Sequence, residues 1–221
     1  PIGFWVECRV NALTNRNMKK ILTFWGLYLA LATSTGLMAQ EVFQNEQYGF
    51  SMTSPEGWQV QQEEDILKNL DKYDFDEEQL QELLAKRNGS IPLISFFKYD
   101  PKTHAGLIPT IQILVRSNPT PSFEYFEQMI NQSAGDLKNV LEDFTLIESP
   151  RVGEVSGQPA IFLTGTYSLG TKRGAKLYAR TRVYAVPKGA YFFQIAFIDA
   201  QEGEDCSELF DALLQSIQIS D

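Results

Sequence analysis

The sequence has few cysteines and almost no histidine: two cysteines and one histidine occur among its 221 residues. Zinc sites need several histidine or cysteine ligands, so this scarcity excludes a structural or catalytic zinc site. His104 lies in the loop sequence DPKTHAG, and its spacing indicates no serine or cysteine partner for nucleophilic catalysis. Cys206 is the only cysteine beyond residue 39. We therefore expect no intrachain disulfide, and interpret Cys206 as a small half-buried apolar residue rather than an activated thiolate.

Basic residues are also scarce. The chain carries 19 Lys and Arg against 28 Asp and Glu, a formal net charge of −9, and residues 40–221 carry 15 against 27, a net charge of −12. Binding to nucleic-acid phosphates requires clustered basic side chains. Anionic membrane surfaces attract the same side chains. We therefore expect neither nucleic acid nor an anionic membrane as a partner.

The apolar run at residues 21–32 is too short for a transmembrane helix, because it has 12 residues and a spanning helix needs about 20. It follows Met18 and two lysines and precedes small residues, a layout typical of a secretory signal peptide. We predict a signal peptide at residues 18–39 and treat residues 1–17 as upstream or artefactual sequence. We expect a secreted or periplasmic bacterial protein, with no stable membrane insertion after cleavage at Ala39 and with no cofactor.

Strand patterns dominate the rest of the chain, residues 40–221, whose length fits one domain. A hairpin is predicted where the sequence SPEG joins residues 48–53 to residues 58–62. A short turn at Lys188 and Gly189 predicts a second hairpin. The other predicted strands are 91–100, 108–117, 145–149, 151–157, 159–169, 176–187, 190–199 and a candidate edge strand at 217–220.

Three segments have helical periodicity. Residues 63–87 place an apolar stripe above an acidic face. A second helix is predicted to begin after Ser122 and to reach Phe144, with Gly135 as a candidate break, and a third spans residues 204–216. Runs of consecutive strands separated by helical insertions favour an antiparallel sheet with helices packed on its faces. The predicted class is α+β, with a single domain.

Four short motifs resemble the PsbP-like superfamily. They are YGFSMTSPEGW at 48–58, GQPA at 157–160, VPKGAYFFQIAF at 186–197 and LLQSIQI at 213–219. That superfamily includes extrinsic photosystem subunits, a nuclear Ran-binding protein and secreted bacterial proteins without assigned activity. The resemblance implies an antiparallel sheet between helical layers, an α/β/α sandwich, with Trp58 in the core. It transfers no metal-binding or partner-contacting residue.

Two motifs come close to catalytic patterns without matching them. GTYSLGTK at 165–172 approaches a phosphate-binding loop, but Thr171 precedes Lys172 in the wrong order and a strand is predicted to follow instead of a helix. Ser168 misses the nucleophile-elbow pattern, because Thr166 stands where the first glycine is needed. We interpret the stretch as a hairpin turn.

Carboxylates crowd into residues 71–78, and they fit the first turn of a helix, where negative charge is favoured. A weak calcium site stays open as the alternative, although the glycine and the final glutamate of an EF-hand loop are missing. No pair of acidic residues is singled out for hydrolysis of a glycoside. The carboxylates in this segment are Asp71, Asp74, Asp76, Glu77 and Glu78.

The most suggestive polar row is Tyr178, Arg180, Arg182 and Tyr184, which strand alternation places on one face. Two arginines between two tyrosines are suited to binding a carboxylate or a planar ligand. The alternative is cross-strand pairing of the arginines with acidic neighbours. We predict these four as binding residues, and predict no catalytic and no metal-binding residue.

Three functions follow as hypotheses. The first is a secreted, non-enzymatic accessory domain that binds another protein of the cell envelope or the exterior. The second is a carrier of a small apolar or aromatic ligand, suggested by the 12% aromatic content. The third is a carboxylate-based hydrolase. The first agrees with the PsbP-like resemblance, and we expect the protein not to be an enzyme.

Overall fold

The computed structural model describes residues 41–61, 89–104, 106–170 and 176–220. Three sequence predictions fall outside these residues: the signal peptide at 18–39, the helix at 63–87 and the carboxylate-rich segment at 71–78 that it includes. The described part has ten strands, two α-helices and one short 3₁₀ helix. The strands are β1 (Val42–Asn45), β2 (Phe50–Thr53), β3 (Gln59–Gln61), β4 (Ser90–Phe97), β5 (Thr110–Ser117), β6 (Glu142–Val155), β7 (Gln158–Gly170), β8 (Lys176–Lys188), β9 (Tyr191–Ala200) and β10 (Gln218–Ile219). The helices are α1 (Phe123–Asp136), a 3₁₀ turn at Leu137–Asn139, and α2 (Ser207–Ser216).

The described strands form two sheets. Seven strands pair in the order β3-β4-β5-β9-β8-β7-β6, and three pair in the order β1-β2-β10. Every pairing between described strands is antiparallel. The predicted α+β class with an antiparallel sheet is therefore confirmed. The β8–β9 hairpin is also confirmed: Lys188 pairs with Tyr191, and Gly189 takes the positive φ of 56° that the tight turn requires.

The predicted hairpin at residues 48–62 is wrong. Its turn exists, since Gly57 has a φ of 75° and the Trp58 N–H donates to the Pro55 carbonyl at 3.3 Å. The two strands nevertheless belong to different sheets. Both edges of β2 are already paired, one with β1 and the other with β10, so β3 pairs with β4 instead. Strand β1, for which there was no prediction, is the actual hairpin partner of β2.

The predicted helix from Ser122 to Phe144 is too long. Helix α1 ends at Asp136, and Gly135 lies inside it without dividing it. Val140, predicted on the apolar stripe, is 79% exposed. Phe144 already belongs to β6, which runs as one strand where two were predicted. Pairing with β7 along most of its length explains this outcome, because the ladder overrides the local helical pattern.

Strand β6 is the outer strand of the large sheet and is irregular. Its register against β7 shifts at three places, one of them between Glu148 and Arg151, a stretch that contains Pro150. Asp143 has a φ of 55°. At its far end Ser156 and Gly157 both have positive φ values, 55° and 73°, as a two-residue hairpin turn requires. The strand is therefore bent and interrupted along its length.

The apolar core consists of two clusters, and neighbouring residues of β9 belong to different ones. Phe193 belongs to the larger cluster, with β2, β4, β5 and α2, whereas Phe192 belongs to the smaller cluster under α1. Successive strand residues point to opposite faces of a sheet. Each described helix therefore covers apolar side chains of one cluster. Trp58 packs against the larger cluster, with its ring centroid 6.3 Å from that of Phe210, although it is only partly buried.

Replacing Tyr48 with phenylalanine is expected to leave the free energy of unfolding unchanged or to raise it by about 1 kcal/mol. The Tyr48 ring is buried edge-on to Tyr191, with centroids 5.6 Å apart, and burial raises the pKa of Tyr48. Its hydroxyl has no hydrogen-bond partner within the described residues. Urea unfolding measures the change. The control is Tyr99→Phe, which removes a hydroxyl that does donate a hydrogen bond, and a clear loss of stability in Tyr48→Phe alone contradicts the prediction.

Candidate functional site

The predicted binding residues lie on β8 in very different surroundings. Tyr178, near the start of the strand, is 51% exposed. Arg180 and Arg182 are mostly covered. Tyr184 is partly buried, with its ring centroid 4.7 Å from that of Phe162. Only the Tyr178 end of the row therefore offers a large surface to a partner.

The two arginines converge on Asp199, a fully buried carboxylate of β9 that lies directly opposite Arg180. Arg180 donates from Nε to Oδ1 at 2.9 Å and from Nη2 to Oδ2 at 2.8 Å. Arg182 donates from Nη1 to Oδ1 at 3.1 Å, and the Cys206 N–H donates to Oδ2 at 3.2 Å. The hydrogen bond from Arg180 to Asp199 raises the pKa of Arg180. Both arginines are thus engaged in cross-strand pairing with an acidic neighbour.

The same arginines hold the segment between β9 and α2. Arg180 Nη2 lies 3.0 Å from Asp205 Oδ1, and Arg182 donates to the hydroxyl of Ser207. Hydrogen bonds from Ser207 hold the pKa of Asp205 below its usual value. The Arg182 guanidinium lies 5.5 Å from the ring centroid of Phe210, within cation–π range. The arginines therefore act as a brace that fixes the start of α2 and the segment before it.

A groove of about 390 Å³ opens beside Tyr178 at the end of the sheet. One wall comes from the β4–β5 connection, with Tyr99 and His104, and another from the start of β8. The segment after β9 supplies Glu202 and Glu204. The apolar residues of the lining are Leu107, Pro109, Leu177 and Ala200.

The Tyr99 side of the groove is tightly organised. Glu204 binds Lys98 and accepts a hydrogen bond from the Tyr99 hydroxyl at 2.7 Å. These hydrogen bonds, with that from Lys98 the larger effect, lower the pKa of Glu204. The His104 ring stacks on Tyr99, with centroids 4.4 Å apart and planes 11° apart. His104 is consequently part of a groove wall.

The opposite side of the groove is held by Lys176. Its ammonium lies 2.6 Å from Glu142 Oε1 and 2.9 Å from Asp143 Oδ2. The Ser168 hydroxyl donates to the same Asp143 carboxylate at 2.7 Å, and the Ser168 residue is buried. Ser168 therefore supports this corner of the structure, and a strand follows the GTYSLGTK stretch rather than a helix.

The shifted pKa values of Glu204 and Cys206 do not suit either group to catalysis at neutral pH. The lowered pKa keeps Glu204 ionised, so it cannot act as a general acid there. Burial raises the pKa of the Cys206 thiol, which is 4% exposed, and so favours the inert thiol over a thiolate. Among the described residues no group of three or more His, Cys, Asp or Glu side chains is arranged to hold a metal ion. In the same part of the chain, no helix combines the length and the apolar character that crossing a bilayer requires.

Sequence reasoning found Tyr178 but missed most of the groove. Asp199 was treated as the last residue of a strand pattern, and Glu202 and Glu204 were not singled out. Their partners are far away in sequence: Glu204 binds Lys98, and Asp199 binds Arg180. Strand alternation on β8 was the one signal that pointed to this region.

Comparison with known proteins yields structural similarities only. No protein-family model matches the sequence, and no curated protein matches it. Among solved structures, PsbP of the cyanobacterium Synechocystis has a TM-score of 0.49 at 11% identity, covering 85% of this chain and 96% of that protein. LpqN, involved in cell envelope biogenesis of Mycobacterium tuberculosis, has a TM-score of 0.45 at 14% identity, covering 83% of this chain and 86% of LpqN.

A structure from Bacteroides thetaiotaomicron has a TM-score of 0.44 at 11% identity and is covered over 50% of its length, so this chain spans about half of it, whereas 83% of this chain is matched. The cyanobacterial protein in this comparison is a PsbP, the protein after which the superfamily that the sequence motifs resemble is named. Similarities of this size transfer no residue role, ligand or partner to the present chain.

Proposed function

We propose that residues 40–221 form a non-catalytic accessory domain of a bacterial cell envelope, exported by the signal peptide at 18–39, which binds another protein through the groove beside Tyr178. The observation that carries this proposal is the half-exposed Tyr178 ring in the lining of an open groove that also holds the stacked rings of Tyr99 and His104. Tyrosine is enriched where proteins bind one another, because it combines a large apolar body with a polar tip. In this proposal the domain is an α/β/α sandwich.

The four residues predicted on β8 then have two different roles. Tyr178 contacts the partner directly. Arg180 and Arg182 position the segment that carries Glu202 and Glu204, through their bonds to Asp199 and Asp205. Tyr184 packs inside the domain. A carrier of a small apolar ligand would require an enclosed cavity, whereas the groove that the described residues form is open, and this supports a surface contact instead.

Site-specific crosslinking tests the proposal. A photoreactive benzoylphenylalanine replaces Tyr178 in one variant and Tyr125 in another, and both are expressed in cells of the source organism. The two tyrosines are matched in exposure, at 51% and 56%, but Tyr125 lies on α1, away from the groove. We expect a discrete crosslinked protein from position 178 and none from position 125. The same bands from both positions, or no product from position 178, would contradict the proposed binding surface.

A further inference from the structure

Among the described residues that line the groove, one carboxylate has no partner within the described part of the chain. Lys176 is neutralised by Glu142 and Asp143, and Glu204 by Lys98. Glu202 lines the groove and makes no hydrogen bond or ion pair with the rest of the described chain. The lining residues and the charged residues bound to them therefore carry more carboxylates than basic groups. This local excess has the same sign as the net charge of the whole chain, −9.

Aromatic side chains line the same groove as this carboxylate. Tyr99 and His104 are stacked on each other at one wall, and Tyr178 stands half exposed at another. A guanidinium or ammonium group is attracted to a tyrosine face, and a guanidinium also stacks on it through its plane. The walls and the free carboxylate thus favour the same kind of group, a cation, and the flat rings favour a planar one.

The apolar part of the lining completes the match. Leu107, Pro109, Leu177 and Ala200 contribute apolar surface to the groove. Long basic side chains place their methylene groups along apolar surface and keep the charged end at polar groups. A side chain with an apolar stem and a planar cationic end is an arginine.

We propose that the groove binds an arginine side chain presented by the partner protein, with the stem against the apolar lining residues, the guanidinium against Tyr178 and its charge paired with Glu202. This inference rests on the proposed function, in which the groove is the surface that meets a protein. It narrows that function to partners with an exposed arginine. Steering by the acidic chain speeds the encounter with such a basic surface and weakens as salt is added.

The test is an NMR titration of the complete chain with N-acetylarginine amide, compared with N-acetylcitrulline amide, which has the same shape and no charge. We expect the arginine probe to shift the backbone amides of Tyr99, Tyr178 and Glu202 in a saturable way. The citrulline probe should bind at least fivefold more weakly. Glu202→Gln and Tyr178→Ala should each weaken the arginine probe two- to fivefold, the range that a partly exposed charge pair or cation–π contact gives.

A matched control is Glu208→Gln, which neutralises an exposed carboxylate on α2 outside the groove lining and should leave the affinity for the arginine probe unchanged. Equal binding of both probes, or equal effects of Glu202→Gln and Glu208→Gln, would overturn the inference. Lys172 and Arg173 precede β8 in the sequence. Binding that emerges only after both are replaced with serine would mean that this chain's own cations fill the groove, and would also overturn it. The crosslinking experiment at Tyr178 is separate, because a crosslinked partner together with failed arginine binding refutes only the chemistry assigned to that partner.

Discussion

Asp199→Ala is expected to lower the free energy of unfolding by about 3–5 kcal/mol, because it leaves Arg180 and Arg182 without the buried carboxylate that pairs with them. Asp199 is fully buried, accepts three hydrogen bonds from the two guanidinium groups and a fourth from the Cys206 N–H. Removing one side of such a cluster costs more than removing both, since the remaining charges lose their partner and stay largely out of water. Urea unfolding followed by circular dichroism measures the loss.

Two further variants sharpen this prediction. Asp205→Asn removes a carboxylate that is 63% exposed and also contacts Arg180, so its unfolding midpoint should lie close to that of the parent chain. A triple variant, Asp199→Leu with Arg180→Met and Arg182→Met, should recover much of the stability lost in Asp199→Ala, because no unpaired buried charge remains. A loss in Asp199→Ala no larger than that in Asp205→Asn would show that the brace contributes little to folding.

Phe210→Ala is expected to cost about 3–5 kcal/mol in free energy of unfolding, the range for removing a large aromatic side chain from a packed core. Phe210 is 1% exposed and belongs, with Leu213 of the same helix, to the larger cluster. Its ring centroid lies 5.0 Å from that of Phe197 and 6.3 Å from that of Trp58, and the Arg182 guanidinium lies above it. The substitution therefore removes packing and a cation–π contact together.

The natural control lies on the same helix. Gln215 is exposed, and Gln215→Ala keeps a good helix former in place, so the stability should hardly change. Phe210→Ala should also speed hydrogen exchange of the α2 amides, because the helix loses the side chain that holds it on the sheet. Similar midpoints for Phe210→Ala and Gln215→Ala would contradict the central position given to Phe210.

Local pattern sufficed for the strands with strong alternation. Ile111, Ile113 and Val115 alternate with less buried residues on β5, and all three are buried as the period-two pattern predicts. The Lys188-Gly189 turn likewise predicted the β8–β9 hairpin from a few residues. These successes have one physical cause: the decisive interactions occur within a strand or across a short turn.

Pairing between strands that are distant in sequence could not be predicted from local sequence patterns. Strand β2 carries nothing in its own sequence that selects β1 and β10 over β3, since the choice depends on which segments reach its two edges. The helical pattern around Val140 and Phe144 did not produce a helix for a similar reason, because β6 forms a long ladder with β7. Local preference is a weak guide when a partner strand supplies many hydrogen bonds and side-chain contacts at once.

The candidate site was only partly predictable because it is assembled from three separate parts of the chain. Tyr99 and His104 lie in the β4–β5 connection, Tyr178 lies near the start of β8, and Glu202 follows the end of β9. Strand alternation correctly grouped Arg180 with Arg182, yet it could not reveal that Asp199 lies opposite Arg180. The position of Asp199 determines whether the two arginines are free to bind a partner protein or are paired within the domain.

The irregular course of β6 bears on how the domain behaves at high concentration. A free strand edge exposes unpaired N–H and C=O groups and invites a neighbouring molecule to add its own strand, the first step towards aggregates. Pro150 has no N–H to donate to an added strand. The three register shifts interrupt the regular edge with which such a strand would pair. At the opposite edge of the same sheet β3 is only three residues long, and so offers little template. Both edge strands of the large sheet therefore disfavour the addition of strands from other molecules, while the groove beside Tyr178 stays available for contact.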